Sequence, residues 1–485
     1  MKKKAIFFAL ILIVLSLPLF SGCGKKDGER TTYNITCALD GYVLKGTETV
    51  DFFNSSPNVV GVLKFNIFGN AFREGAKYSP ISAQYISRAY PNGLSYGSMS
   101  IKSVTENGKA LSYSVGGEDE NVLSVMLGRE IFPDERACVT IEYELKLANV
   151  VARTGYNANT VNLANFYPIL CGMNEDGSFY ECVYYSSGDP FFSDCADYKV
   201  SFTSEAKYNV AASSKVQSAT QNGKLITRCY DMKKTRSFAL VLSEKFESVT
   251  DNSLGVEINY YYYSDTDPKA SLTFAVQSMK LFTEKFGEYP YSTYSVVQTE
   301  FVQGGMEFPG LVMISDDLEG LPYGEVIVHE TAHQWWQSAV GNNEIEYGFL
   351  DEGLAEYSVV IFYENYPQYG FDRQNLITAS EQTYKVYCSV YEKVFGGVNT
   401  VMMRSLKDFT SEYEYVNIAY VKPCIMYDYL RESIGDELFF KALKRYYEEY
   451  KFKNAIPDDL VAVYEKVGAD TNGFFKSFFD GKVII

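Results

Sequence analysis

The chain has only two histidines in 485 residues, His329 and His333, and both fall in one short run. Residues 326–336 read Val-Ile-Val-His-Glu-Thr-Ala-His-Gln-Trp-Trp, which also contains both tryptophans, Trp335 and Trp336. On a helix, His329 and His333 stand at i and i+4, one turn apart on one face. Two neutral imidazoles at that spacing can hold a zinc ion, and Glu330 between them is placed to act as a general base. Eighteen residues (334 to 351) separate His333 from Glu352, the candidate third ligand. Two His and one Glu leave a fourth coordination position open for water, the pattern of catalytic rather than structural zinc. A solvated helix face has no reason to collect both histidines and both tryptophans.

For these residues to meet, one helix must carry the histidines and a second must return beside it. Gly341 can end the first, 341–348 can turn the chain, and an amphipathic stretch over 349–363 can run back. Glu356 lies one turn after Glu352, where it could accept the free ring N–H of His329 and fix its tautomer; Asp351 is a weaker candidate for that role. Upstream, Gly304-Gly305-Met306-Glu307-Phe308-Pro309-Gly310 would let backbone approach a ligand closely and project Glu307 from an extended edge.

The rest of the chain must supply that scaffold. Residues 31–250 read as an antiparallel all-β domain: alternating or apolar runs such as 59–65 and 138–143 are punctuated by Asn107-Gly108 and Asn222-Gly223 turns. Within it, aromatics beside Gly, Asp and Pro over 184–194 suggest a structured loop. Residues 251–485 form a mixed, mainly α domain around the metal helices. Strands are expected over 256–263, 295–299 and 310–315, and helices over 268–287, 420–433, 437–450 and 458–467, with a long mixed stretch up to about residue 415. The fold class is thus multidomain α+β.

The N-terminus reads as a targeting segment, residues 1–22. Lys2, Lys3 and Lys4 precede an apolar run over 5–20, and Cys23 follows Phe20-Ser21-Gly22. This resembles a bacterial lipobox and implies lipidation of Cys23, a tether over 23–30, and a body held at the extracytoplasmic face of the cell membrane. The net charge of −17 argues against nucleic acid as a partner. Eight further cysteines include no C-x-x-C pair, so a zinc ribbon or thioredoxin-like site is not expected; disulfide pairing stays open.

Taken together, the motifs resemble the aminopeptidase N and leukotriene hydrolase family of zinc metallopeptidases. That family pairs a Gly-x-Met-Glu-Asn loop with His-Glu-x-x-His and a Glu after an eighteen-residue gap. Here Phe308 stands in place of the Asn, and the family's Tyr-x-Lys-Gly becomes Tyr420-Val421-Lys422-Pro423. Asp189-Pro190-Phe191-Phe192-Ser193 also resembles the family's β domain. The resemblance implies a thermolysin-like catalytic domain and one Zn2+ per chain held by His329, His333 and Glu352. It implies that Glu330 takes the proton of the attacking water and later delivers it to the leaving amine, while Tyr420 donates to the oxyanion. Glu307 would hold the substrate's α-ammonium, with Gly304, Gly305 and Met306 lining the peptide, and Tyr415 is a possible neighbour. Larger relatives carry a long helical domain after the catalytic one; the 65 residues after Tyr420 (485 − 420) are too few for it, so a more open site, or one closed by a partner, is expected.

The expected function is a zinc aminopeptidase acting outside the cytoplasmic membrane on peptides with a free N-terminus. Two alternatives stay open: a thermolysin-type endopeptidase, against which Glu307 argues, and a non-catalytic peptide-binding surface lipoprotein, against which Glu330 and Tyr420 argue.

Overall fold

The computed structural model describes residues 30–471 and 473–483, so the targeting segment and Cys23 lie outside the described residues. The first half is built from β-strands. An eight-stranded sheet runs in the order Val216–Asn222, Leu225–Thr235, Ala196–Glu205, Thr32–Asp40, Val43–Phe53, Arg136–Lys146, Ser98–Glu106, Lys109–Ala110. Its central strands alternate strictly: from Tyr33 to Leu39 every second side chain is buried, so one face packs and the other meets water. Pairing is antiparallel except at one place, where Thr32–Asp40 runs parallel to Ala196–Glu205. A parallel neighbour needs a long crossover, and two four-stranded sheets, drawn from that crossover and from the chain after Glu205, share the same core.

The second half opens with a five-stranded sheet, ordered Glu247–Asp251, Glu257–Tyr262, Thr293–Thr299, Leu311–Ser315, Gly305–Met306. Thr293–Thr299 and Leu311–Ser315 are parallel and buried along their whole length, which explains why β-branched and apolar residues predominate in them. Gly305–Met306 pairs antiparallel at the sheet edge.

Among the described residues, seven helices of ten or more residues complete this half: α1 (Pro268–Phe286), α2 (Gly320–Ala332), α3 (Phe349–Asn365), α4 (Arg373–Phe395), α5 (Lys422–Ile434), α6 (Asp436–Tyr450) and α7 (Pro457–Lys466). Asp267 caps α1 by accepting from the Ala270 N–H, and Pro268 occupies the first turn, where a missing N–H costs nothing. Two glycines let helices cross closely. A Cβ on Gly324 would meet the Phe274 ring at 2.3 Å, and one on Gly353 would meet Pro423 Cβ at 2.5 Å. Pro423 therefore fills the notch that Gly353 leaves.

Three features depart from the sequence expectations. Gly341 does not end the first metal helix: α2 stops at Ala332, and Gly341 instead belongs to a two-residue strand beside Lys453–Asn454. The chain turns through Gln337, whose positive φ of 136° is held by bonds from its N–H to the Val340 carbonyl (2.8 Å) and from Arg236 to its own carbonyl (2.8 Å). The mixed stretch before residue 415 contains the 23-residue α4, in which only Ile377, Tyr384 and Tyr387 are fully buried, too thin an apolar stripe to read as a helix. The helix expected from residue 420 begins as a π-helical turn over Asn417–Val421. The eight cysteines of the described region are free thiols. No helix among the described residues is long and apolar enough to cross a membrane.

Candidate active site

His329 and His333 face Glu352 across the α2–α3 packing. Their Nε2 atoms are 3.1 Å apart, and each lies 3.2 Å from Glu352 Oε2. This near-equilateral triangle has the edge of a tetrahedron with metal–ligand distances of about 2.0 Å, so a zinc ion fits the three donors without rearrangement. With both imidazoles neutral and their Nε2 lone pairs turned inward, a shared cation satisfies all three donors at once.

The remaining ring nitrogens are also engaged. His333 Nδ1 lies 2.9 Å from the Trp336 carbonyl, which the early end of α2 brings back over the ring. His329 Nδ1 lies 3.2 Å from Glu356 Oε2. Asp351 does not serve His329: one position along the helix turns its side chain about 100° away, where Asn342 Nδ2 donates to it at 3.0 Å. Trp335 and Trp336 are buried and anchor the turn, donating to the Gly287 carbonyl (2.9 Å) and Ser358 Oγ (3.2 Å).

These groups open onto a cleft of about 270 Å³. Glu330 lines it, is buried, and keeps an unpartnered oxygen, Oε2. Gly305 passes directly over it: a Cβ there would come within 2.2 Å of Glu330 Oε1. Glu307 enters the cleft from the sheet edge, buried, with Oε1 unpartnered. One oxygen each of Glu307 and Glu330 lies within 4.8 Å of a His333 nitrogen. Gly304 also lines the cleft, but Met306 does not. Strand alternation turns the Met306 side chain to the opposite face, into a core with Phe301, Phe308 and Met313, so its side chain is no substrate contact here. Tyr420 donates to Glu352 Oε1 at 2.5 Å and stacks on the His329 ring, 12° from parallel. The π-helical turn adds a residue to that coil and helps set the direction of the Tyr420 ring. Tyr415 lines the same cleft, edge-on to Tyr420.

Charge in the site is strongly one-sided. Burial pushes the Glu330 carboxyl up to about 8, with Glu307 adding to the shift and both histidines opposing it. Burial raises Glu307 likewise. Burial would also raise Glu352, yet His333 and His329 hold it well below the ordinary range. For both imidazoles burial acts downward, and the facing carboxylates outweigh it, raising their proton affinity. A field that binds protons this strongly is also one that attracts a divalent cation.

Several contacts of the site escape sequence reasoning. Arg153 and Asp189, from the β half, form a buried ion pair at 2.6 Å in the cleft wall. Glu344 and Asp351 approach Glu307 from behind, each with one oxygen held by Gln337 or Asn342 and the other unpartnered. Only the aromatic run over 184–194 hinted that the β half reaches the site.

A helix carrying His-Glu-x-x-His, a Glu returned on a neighbouring helix, and a β domain walling the cleft together present the donor set of a zinc metallopeptidase. Residues 270–478 match the Peptidase family M1 domain. The chain is 27% identical over 226 residues to endoplasmic reticulum aminopeptidase 2 of Homo sapiens, covering 43% of this chain and 23% of that protein. It is 27% identical over 241 residues to aminopeptidase N of Lactobacillus helveticus, covering 46% and 28%. It thus spans about a quarter of the length of these curated relatives. A solved M1 zinc metallopeptidase from Deinococcus radiodurans superposes with a TM-score of 0.68 at 18% identity, covering 94% of this chain and 95% of that one. A mutant of that protein, bound to a Tyr-Ser-Ala substrate, gives 0.67 at 18% identity and the same coverage. Over residues 270–478 the chain is thus similar to the Peptidase family M1 domain, and the curated relatives that it matches include proteins named aminopeptidase N.

Proposed function

We propose that this protein is a zinc aminopeptidase that removes single residues from the free N-terminus of peptides. The observation that carries the proposal is Glu307: a buried carboxylate with an unpartnered oxygen, at one end of the cleft, beside His333 and Glu330. A peptide's α-ammonium there gains a charge-assisted hydrogen bond and relieves an uncompensated buried charge. It also sets distance, bringing the first peptide carbonyl, and no other, to the metal donors.

Zinc held by His329, His333 and Glu352 would supply an acidified water and polarise that carbonyl. Glu330, held close to neutral pH in proton affinity, takes the water's proton and passes it to the departing amine. Tyr420, whose hydroxyl burial and Glu352 keep protonated, can swing from Glu352 to donate to the developing oxyanion. Glu356 and the Trp336 carbonyl orient the two imidazoles.

The test is a time course of a free-amine peptide and its acetylated twin, followed by mass. Stepwise loss of single residues from the first, with the second left whole, is expected. Glu307→Ala should lose most activity on the free amine, retain zinc, and narrow the gap between the two peptides. Internal cleavage of the acetylated peptide at a comparable rate by the wild type would replace the aminopeptidase with an endopeptidase.

Location is a separate proposal. Cys23 is acylated and tethers the protein to the outer side of the cytoplasmic membrane, as supported by the basic, apolar and small-residue sequence before it. One acyl chain holds a protein only marginally, so stable attachment needs more than one. Mass analysis should find a lipid-modified cysteine as the first residue; an intact Met1 would overturn this.

A further inference from the structure

The cleft has a direction. Asp351, at the start of α3, lies near Glu307 on the sheet edge and near His333 at the end of α2, while Glu356, five residues further along α3, contacts His329. The two helices therefore pass the metal donors in opposite senses. Glu307 marks one end, and Glu325, one turn before His329 on α2, marks the other beside Glu356. Glu325 stands about 6 Å along the helix axis from His329, at 1.5 Å per residue. An extended peptide advances about 3.3 Å per residue. With its amine on Glu307 and its first carbonyl over the donors, its second residue stands about 3 Å past them, so a long side chain there reaches Glu325 and Glu356.

The chemistry of that end is specific. Val326 and Val359 line the cleft next to the two carboxylates, an apolar path with a negative tip. Glu325 has an exposed side chain and makes no ion pair among the described residues, and Glu356 pairs only with His329. The one arginine in the cleft, Arg153, is paired with Asp189. Long cationic side chains match this arrangement: their methylene stems cover apolar surface while their heads reach the carboxylates. We infer that the Glu325–Glu356 end selects peptides whose second residue is lysine or arginine. The inference rests on the aminopeptidase reading, since it needs the amine at Glu307.

The experiment uses the full-length zinc-loaded protein and three tripeptides, Ala-Lys-Ala, Ala-Gln-Ala and Ala-Glu-Ala, scored by release of the first alanine. In kcat/KM the lysine peptide should exceed the glutamate peptide by on the order of tenfold, the span expected when exposed carboxylates attract one charge and repel the other. About 0.5 M salt should shrink the ratio. Glu325→Gln should reduce it to about threefold, and Glu325→Lys should bring it to one or invert it. Each ratio is taken within one enzyme preparation, so losses of folding or zinc cancel. A wild-type ratio near one, or a ratio unchanged in both variants, overturns the inference while leaving the aminopeptidase standing. Failure to release alanine from any of the three removes the aminopeptidase reading and this selectivity with it.

Discussion

Replacing Glu356 by alanine removes the carboxylate 3.2 Å from His329 Nδ1 and leaves His329, His333 and Glu352 themselves unchanged. The partner of a ligand imidazole's second nitrogen fixes its tautomer and ring angle and raises its basicity; losing such a partner costs about 10–100-fold in metal affinity. Two observations place this site at the lower end. The Glu356 side chain is 35% exposed, so water replaces part of what is lost. The other imidazole stays fixed, because His333 uses the buried Trp336 carbonyl. The expected loss is about tenfold, or ~1.4 kcal/mol. The assay is competition for zinc against a chromophoric chelator at constant pH. Glu356→Gln keeps an acceptor oxygen and should recover most of the affinity. Wild-type affinity in the alanine variant would refute the orienting role. A glutamine variant as weak as alanine would show that charge, and not the hydrogen bond, is what Glu356 contributes.

Other perturbations separate the remaining roles. His333→Ala should lose the metal and nearly all activity while limited proteolysis finds the β half still folded; metal analysis of the purified variant checks the first point. Tyr420→Phe should keep zinc and KM and lower kcat on the order of a hundredfold, the usual cost of removing one oxyanion donor. Near-normal turnover would shift that role, with Tyr415 next to test. Gly305→Ala should cost kcat without costing zinc, because its Cβ would collide with Glu330, a base that ligates nothing. Chelator treatment should abolish activity, and added zinc should restore it.

The metal triangle was legible because helical periodicity leaves little freedom: His329 and His333 must share a face, and a helix returning from a short turn can present Glu352 to them. Glu356 was legible for the same reason, one turn on from Glu352. The end of α2 was not. Gly341 looked like a stop, but the helix breaks at His333 because Trp335, Trp336 and Gln337 find tertiary partners, and no local signal encodes those. Met306 was misplaced because a motif does not say which face of a two-residue strand meets the cleft. The long α4 was hidden because burial of three side chains leaves a polar pattern. Arg153, Glu344 and the pairing of Arg153 with Asp189 were invisible because residues far apart in the chain meet only once both halves are docked.

That docking has an evolutionary consequence. The zinc donors, Glu330 and Tyr420 all lie on helices of the second half, whereas Tyr85, Arg153, Ser186 and Asp189 reach the cleft wall from the first. Residues of the wall can therefore drift, lengthen or be exchanged without disturbing a single metal ligand. A lineage of such proteins could change its diet through the β half alone while inheriting its chemistry intact.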